Sequence, residues 1–207
     1  LSKATRLMLD ANFSINHIKV DSMQRSSDGT IKNGIRLHDG MIVESVLIPT
    51  AKRSTACVSS QVGCSLACAF CATGRLKMMR NLTAGEIVDQ VVYLNNQAEE
   101  HYGQHLSNIV YMGMGEPLAN EPNVWAAVER IHGEIGISAR HLTISTVGIV
   151  PGIKALTQRP LPVNPPSHEP SVLSEPPTGP SWSAFMSATN PRSRDNQRRK
   201  LLSEASA

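Results

Sequence analysis

The sequence predicts an α/β protein with a parallel sheet and helices packed outside it. Apolar segments of strand length alternate with amphipathic segments of helical period, and after residue 50 their order is βαβαβα. The connections are long enough for crossovers between parallel strands. We expect an N-terminal β accessory region over residues 1–50, a core over 51–160 and a tail over 161–207.

The accessory region reads as a small antiparallel β unit. An amphipathic stretch over residues 4–9 precedes a strand at 17–20. Asp39 and Gly40 lie between two alternating runs, 35–37 and 41–48, and Asp-Gly supplies the positive φ that tight hairpins need. Pro49 ends the second of these strands.

The core begins with a strand at 55–59 and a cysteine-rich loop that reaches about residue 80. Thr83 and Glu86 have the spacing of a capping box before a helix over 84–100. The remaining predicted elements are a strand at 108–112, a loop at 113–117, a helix capped by Asn120 and running to about residue 132, a strand at 141–146 and a helix at 151–158. No clear fourth strand follows, so we expect the sheet to end at an unpaired edge.

The end of the chain has a different composition. Nine of the 13 prolines lie at or after Pro160, and a basic run follows them. Few positions there could bury apolar surface, so this tail is predicted to be disordered.

Composition limits the function classes. The formal net charge of +3 is too small to indicate a nucleic-acid partner by itself. No apolar run approaches a membrane span and no secretory segment is visible, so we expect no membrane partner and a cytoplasmic location. Residues 45–85 lack acidic side chains, and their basic residues could contact RNA phosphates or balance a negative cluster; these are Lys52, Arg53, Arg75, Lys77 and Arg80.

Cys64, Cys68 and Cys71 form the most informative pattern, CxxxCxxC. Zinc needs four ligands and favours paired CxxC units, although Cys57 or a distant His could complete a site. Structural disulfides are rare in cytosolic chains. A four-iron cluster held by three cysteines would keep one iron open, and that iron can chelate the amino and carboxylate groups of S-adenosylmethionine.

Longer strings resemble the RlmN family of radical S-adenosylmethionine methyltransferases. The matching segments are 57–64, 80–83, 112–117 and 142–146, and the resemblance covers about residues 15–160. Members of this family methylate C2 of adenosine in 23S ribosomal RNA and in certain transfer RNAs. The resemblance implies a partial radical-SAM (βα) barrel, cut after about three βα units, for residues 51–160.

The resemblance also implies roles for individual residues. The cluster ligands are Cys64, Cys68 and Cys71, and the positions that match cofactor-binding ones are Phe70, Gly115, Glu116 and Ser145. Glu44 matches the family's proton acceptor. Cys57 matches a cysteine that forms a disulfide with a methyl-carrying cysteine to release the product.

The implied cofactors are a [4Fe-4S] cluster and S-adenosylmethionine, and the implied partners are 23S rRNA, tRNA and an external one-electron reductant. The chain also departs from the family pattern. Its four cysteines are already assigned, none follows Cys71, and the family's Ser-Leu-His-Ala strand motif is missing. We therefore expect these 207 residues to bind a cluster without completing turnover. Two alternatives stay open: the related adenosine C8 methyltransferase, and a non-catalytic fragment that binds zinc or RNA.

Overall fold

A computed structural model describes residues 2–12, 18–66, 68–69 and 71–163. The N-terminal elements are helix α1 (Lys3–Asn12) and strands β1 (Lys19–Arg25), β2 (Ile31–Arg36) and β3 (Ile42–Pro49). The following elements are β4 (Ser54–Cys57), β5 (Gln61–Val62), β6 (Arg80–Asn81), α2 (Ala84–Tyr102), β7 (Leu106–Tyr111), α3 (Glu121–Arg130), β8 (Leu142–Ile144) and α4 (Val150–Thr157).

Six strands form one mixed sheet in the order β1-β2-β3-β4-β7-β8. The first four strands pair antiparallel, with Ile35 opposite Val43 and Val46 opposite Cys57. β4, β7 and β8 then pair in parallel, as predicted for the core. The α/β fold class is confirmed, and within the described residues β8 is an edge strand that pairs with β7.

The two faces of the sheet differ because side chains alternate along each strand. The outer face carries the apolar core, in which Ile35, Leu47 and Ile109 are fully buried against the stripe of Ile87, Val91 and Leu94 on α2. The register places Glu44, Val46 and Cys57 together on the opposite, inner face. The inner face is where two of the predicted functional residues lie.

Local signals for α2 and the hairpin are confirmed. Thr83 and Glu86 form the predicted capping box, and Gly103 ends the helix in the left-handed conformation at φ 61°. Gly40 adopts φ 82° in the turn between β2 and β3, as the Asp-Gly signal requires.

Asn120 is the clearest departure from the predicted local structure. It stands at the N-cap position of α3, but its side chain makes no capping hydrogen bond. Its amide donates to the carbonyls of Ser60 and Leu82, each at 2.8 Å. Long-range contacts therefore outcompete the local cap.

Only residues 161–163 of the predicted tail lie in the part of the chain that the structure describes. Leu161 and Val163 are partly buried against the core, and Arg159 pairs with Glu121 at 2.6 Å. Residues 164–207 lie outside the described residues.

Among the described helices, none has the length and apolar character needed to cross a bilayer.

Candidate active site

The predicted functional motifs meet at the carboxyl ends of the parallel strands. We call this end of the strands the edge of the sheet where the site lies. β4, β7 and β8 run parallel, so their carboxyl ends reach the same edge. Three segments follow these ends: the cysteine loop (residues 58–79), the Gly-Glu loop (residues 112–117) and the β8 loop (residues 145–149). Ligands of open α/β sheets bind at this edge, because the loops converge there. Motifs that are far apart in the sequence thus form one site.

The described part of the cysteine loop carries Cys64, Cys68 and Cys71 as half-buried free thiols. The backbone N–H of Cys71 donates to the carbonyl of Cys68, and the N–H of Gly74 donates to the carbonyl of Cys71, both at 3.1 Å. A Cβ on Gly74 would lie 3.0 Å from the carbonyl oxygen of Leu66. Glycine at this position therefore lets the two arms of the loop approach each other.

This donor set fits an iron–sulfur cluster. Each ligated iron of a cluster takes its own thiolate, so the ligands need not meet at one point. A structural zinc ion needs four ligands around a single centre. Within the described ranges, no three His, Cys, Asp or Glu side chains converge on such a centre. Phe70, predicted to lie near the adenine of the cofactor, falls outside the described residues.

The Gly-Glu loop packs tightly on the start of the cysteine loop. The N–H of Gly113 donates to the carbonyl of Val58 at 3.0 Å. Gly115 has φ 98°, and a Cβ there would lie 2.5 Å from the Cβ of Gln61 and 2.8 Å from its backbone nitrogen. A side chain at Gly115 would push the two loops apart, which is why this position requires glycine.

Glu116 is 3% exposed and joins the Gly-Glu loop to the β8 loop. Its Oε1 accepts from the N–H of Leu118 and its Oε2 from the N–H of Val147, both at 3.0 Å. Each carboxylate oxygen has a second acceptor position, so a protonated amine of a bound molecule can still be accommodated.

Ser145 is half-buried directly after β8. The alternation of side chains places it on the same face as Thr143, which lies opposite Val110; Val110 in turn lies opposite Cys57. Ser145 is therefore on the inner face, at the edge where the loops converge.

Glu44 lies on the inner face of β3 beside a buried cation. The Nζ atom of Lys32 lies 2.7 Å from Oε1 of Glu44, and the two side chains are 2% and 18% exposed. The ammonium compensates the carboxylate charge in a site with little access to water. Sequence reasoning missed Lys32, because a lone Lys in a strand gives no signal for a buried partner.

Cys57 is 5% exposed at the end of β4. Burial raises the pKa of its thiol to about 11. A hydrogen bond from the backbone of Met112 lowers this pKa, but by less than burial raises it. The expectation that Cys57 forms a disulfide is wrong for this structure, in which all four cysteines of the chain are free. At neutral pH Cys57 is a protonated, shielded thiol.

The basic residues of the stretch 45–85, which has no acidic side chains, do not form one positively charged patch. Lys52 and Arg53 lie in the turn before β4, which is at the opposite edge of the sheet from the cysteine loop. Arg80 donates to Oδ2 of Asp39 at 2.6 Å and to both oxygens of Glu86 at 2.8 and 2.9 Å. Arg75 and Lys77 are exposed on the cysteine loop, where they can meet an anionic partner.

A buried polar network behind the site was not predicted. The amide of Gln90 exchanges hydrogen bonds with the backbone of Ser59, at 3.0 and 3.2 Å, and the hydroxyl of Ser59 accepts from the N–H of Met114 at 2.8 Å. Gln61 and Asn120 extend the network and are 0% and 1% exposed. Polar residues directly after a buried strand were the available signal for this network.

The parallel strands β4, β7 and β8, with a loop of three cysteines after β4, define a protein of the radical SAM class. Residues 58–160 match the family model described as "Radical SAM superfamily". A solved structure described as a radical SAM methyltransferase from Sphaerobacter thermophilus superposes with a TM-score of 0.76 at 42% identity, covering 80% of this chain and 49% of that one.

Relatives with curated names indicate which family within the radical SAM class the chain resembles. A probable dual-specificity RNA methyltransferase RlmN from Flavobacterium psychrophilum is 60% identical over 158 residues, covering 75% of this chain and 46% of the relative. A protein of the same name from Christiangramia forsetii is 61% identical over 158 residues, covering 75% and 45%. The chain belongs to the RlmN family of radical SAM proteins. It spans about half the length of the curated relatives that it matches.

Proposed function

We propose that the described residues form the cluster- and cofactor-binding site of a methyltransferase acting on C2 of adenosine in 23S rRNA and tRNA. The observation that carries the proposal is the meeting of the cysteine loop, the Gly-Glu loop and the β8 loop at one sheet edge. The relatives are named as dual-specificity RNA methyltransferases, which supports RNA as the substrate class.

In this proposal Cys64, Cys68 and Cys71 hold the cluster and keep it at the edge of the sheet. Glu116 and Ser145 bind and orient S-adenosylmethionine, with the Glu116 carboxylate facing the amine of its methionine part. When bound and reduced by an external donor, the cluster supplies the electron that cleaves the cofactor. The buried residues of the Gly-Glu loop and the β8 loop, among them Met114, Glu116 and Thr146, exclude water from one side of this site.

Glu44 and Cys57 act from the inner face in the proposed reaction. Glu44 accepts the proton that leaves adenosine C2, and Lys32 holds its carboxylate in place at 2.7 Å. Cys57 would take part in product release only together with a methyl-carrying cysteine, which these 207 residues do not contain. Glu44 lies two residues before Val46, which is directly opposite Cys57, so their side chains are diagonal neighbours about 7–8 Å apart.

The chain has no cysteine after Cys71, so a methyl-carrying cysteine has no counterpart in it. We therefore propose that these 207 residues, tested by themselves, cleave the cofactor without methylating RNA.

The test is anaerobic reconstitution with iron and sulfide, followed by metal analysis and detection of 5′-deoxyadenosine after reduction. We expect about four irons and four sulfides per chain. Cys68→Ala should lose the cluster, and Cys57→Ala, which leaves all three ligands in place, should retain it. One zinc per chain without iron would overturn the proposal in favour of a zinc-binding fragment. Methylated adenosine formed by this chain alone would overturn the expected lack of turnover, and its position, C2 or C8, would be read by mass analysis.

A further inference from the structure

Gln61 contacts two segments besides its own, although it is not one of the predicted site residues. Its side chain is fully buried. Its Oε1 accepts from the N–H of Glu116 at 2.8 Å, and its Nε2 donates to Oδ1 of Asn81 at 2.7 Å. Its own backbone N–H donates to the carbonyl of Met114 at 3.1 Å. One residue thus joins the start of the cysteine loop, the strand β6 that follows it and the Gly-Glu loop.

The path from Gln61 to the first cysteine is short and constrained. Only Val62 and Gly63 separate Gln61 from Cys64. Gly63 has φ 76°, and a Cβ there would lie 2.2 Å from the carbonyl oxygen of Lys77, so the backbone at this point is held against the returning arm of the loop. A shift of Gln61 is therefore transmitted to Cys64.

The path from Gln61 to the predicted cofactor contacts is equally direct. Gln61 holds the N–H of Glu116, and the carboxylate of Glu116 holds the N–H of Val147 in the β8 loop at 3.0 Å. Gly115 packs against Gln61 so closely that no Cβ fits between them. The position of the Glu116 carboxylate thus depends on Gln61.

We infer that Gln61 is a positioning residue that sets the cysteine loop and Glu116 at the separation required for the cluster and S-adenosylmethionine to bind together. The inference rests on the proposed function. Gln61 contacts neither cofactor in this scheme, because its side chain is fully buried and its amide is directed at Glu116 and Asn81. Its loss should weaken cofactor binding to the loaded cluster while leaving the three thiol ligands in place.

The scaffold around Gln61 should tolerate its replacement. The preceding residues, Ser59 and Ser60, stay fixed by Gln90 and by the amide of Asn120. Gln61→Met keeps the length of the side chain and removes both amide contacts. Gln97→Met is the matched control, because Gln97 is also a buried amide, 4% exposed, but bonds to Asn33 between α2 and β2 on the outer face.

The experiment uses anaerobically reconstituted chains of all 207 residues and measures their affinity for S-adenosylmethionine by the change in the electron paramagnetic resonance spectrum of the reduced cluster. We expect Gln61→Met to load iron like the wild type and to bind the cofactor about tenfold or more weakly, since the hydrogen bond that holds the N–H of Glu116 and the one that holds Asn81 are both lost. Gln97→Met should match the wild type in affinity and spectrum. Asn81→Ala, at an exposed position, should give a smaller loss in the same direction without a risk to folding.

The possible results distinguish a failure of the proposed function from a failure of the positioning role of Gln61. A wild-type chain that loads iron but shows no spectral change with cofactor would overturn the proposed function. A responsive wild type with equal affinities for Gln61→Met and Gln97→Met would overturn the positioning role of Gln61 alone. If Gln61→Met fails to fold, an unchanged affinity in Asn81→Ala has the same consequence.

Discussion

Replacing Arg80 by Met should destabilise the chain strongly at neutral pH and only weakly in acid. Arg80 joins Asp39, in the turn between β2 and β3, to Glu86 at the start of α2. The Glu86 side chain is 4% exposed, so the substitution strands a buried carboxylate. Met keeps most of the apolar stem of Arg and removes the guanidinium.

The size of the effect follows from these contacts. Removing one partner of a buried ion pair costs about 3–5 kcal/mol. Glu86 keeps the backbone N–H of Thr83 at 2.9 Å and Nδ1 of His38 at 3.2 Å, and both contacts reduce the loss. The contact with the more exposed Asp39 adds at most about 1 kcal/mol. We therefore expect Arg80→Met to lower the free energy of unfolding by about 2–4 kcal/mol at pH 7.

The pH dependence has a definite sign. The hydrogen bond from Arg80 lowers the pKa of Asp39. Burial raises the pKa of Glu86, but the hydrogen bonds from Arg80 and Thr83 outweigh burial and the pKa is lowered. Carboxyls with lowered pKa values stabilise the fold above their unfolded pKa values, about 4, and this contribution is lost as pH falls through the folded values. The difference between wild type and Arg80→Met should therefore shrink below about pH 4.

Urea denaturation of the full chain at pH 7 and near pH 3 measures this difference. Arg159→Met is the matched control, since Arg159 pairs with Glu121 and stacks on Trp125 near the surface, and its loss should cost about 1 kcal/mol. Equal losses for the two variants at pH 7, or a loss for Arg80→Met that does not change with pH, would refute the reasoning.

Three further outcomes are expected. Lys32→Met should lower the free energy of unfolding by about 2–4 kcal/mol in urea, because the Glu44 carboxylate loses its buried ammonium; a loss below about 0.5 kcal/mol would contradict this account. Gly115→Ala should abolish the cofactor-induced spectral change of the reduced cluster, since a Cβ would lie 2.5 Å from Gln61; an unchanged spectrum would show that the loops can separate without consequence. Cys57 should react with iodoacetamide more slowly than the cluster-free thiols at pH 8 and accelerate towards pH 11, and a peptide map showing equal labelling at pH 8 would contradict its burial.

Elements specified by neighbouring residues were predictable from the sequence. Asp39 and Gly40 define a hairpin turn within two residues, and Thr83 with Glu86 defines the start of α2 within four. In both cases the groups that satisfy the backbone belong to the element itself, so no knowledge of the fold is needed. The predicted segments and the structure agree most closely there.

Asn120 shows where such reasoning ends. The oxygen of its side chain could cap α3, as predicted, but its Nδ2 donates to the carbonyls of Ser60 and Leu82 in distant segments, and its Oδ1 accepts from Nδ2 of Asn123 instead of from a backbone N–H of α3. The two long-range hydrogen bonds fix the orientation of the side chain, so its oxygen makes no capping bond to α3. The sequence contains no sign of this competition, because the competing groups are backbone atoms.

The same limit applies to the candidate site. Cys64, Glu116 and Ser145 could be named in advance because the family resemblance implies a role for each of them. Gln61 and Lys32 could not, because their importance depends on which strands become neighbours. Placing Lys32 beside Glu44 requires the register between β2 and β3, which the turn length alone did not specify.

The basic residues show how strand direction decides electrostatics. Lys52 and Arg80 both lie in the stretch without acidic side chains, and sequence distance suggested a shared role. β4 separates them: the turn before it lies at one edge of the sheet and the loop after it at the other. Because β3 runs antiparallel to β4, the turn that precedes β3 returns to the edge of the cysteine loop, and it carries Asp39, the partner of Arg80. The basic residues of this stretch are thus divided between the two ends of β4. Arg80, which lies beside the hairpin turn, is neutralised there by Asp39.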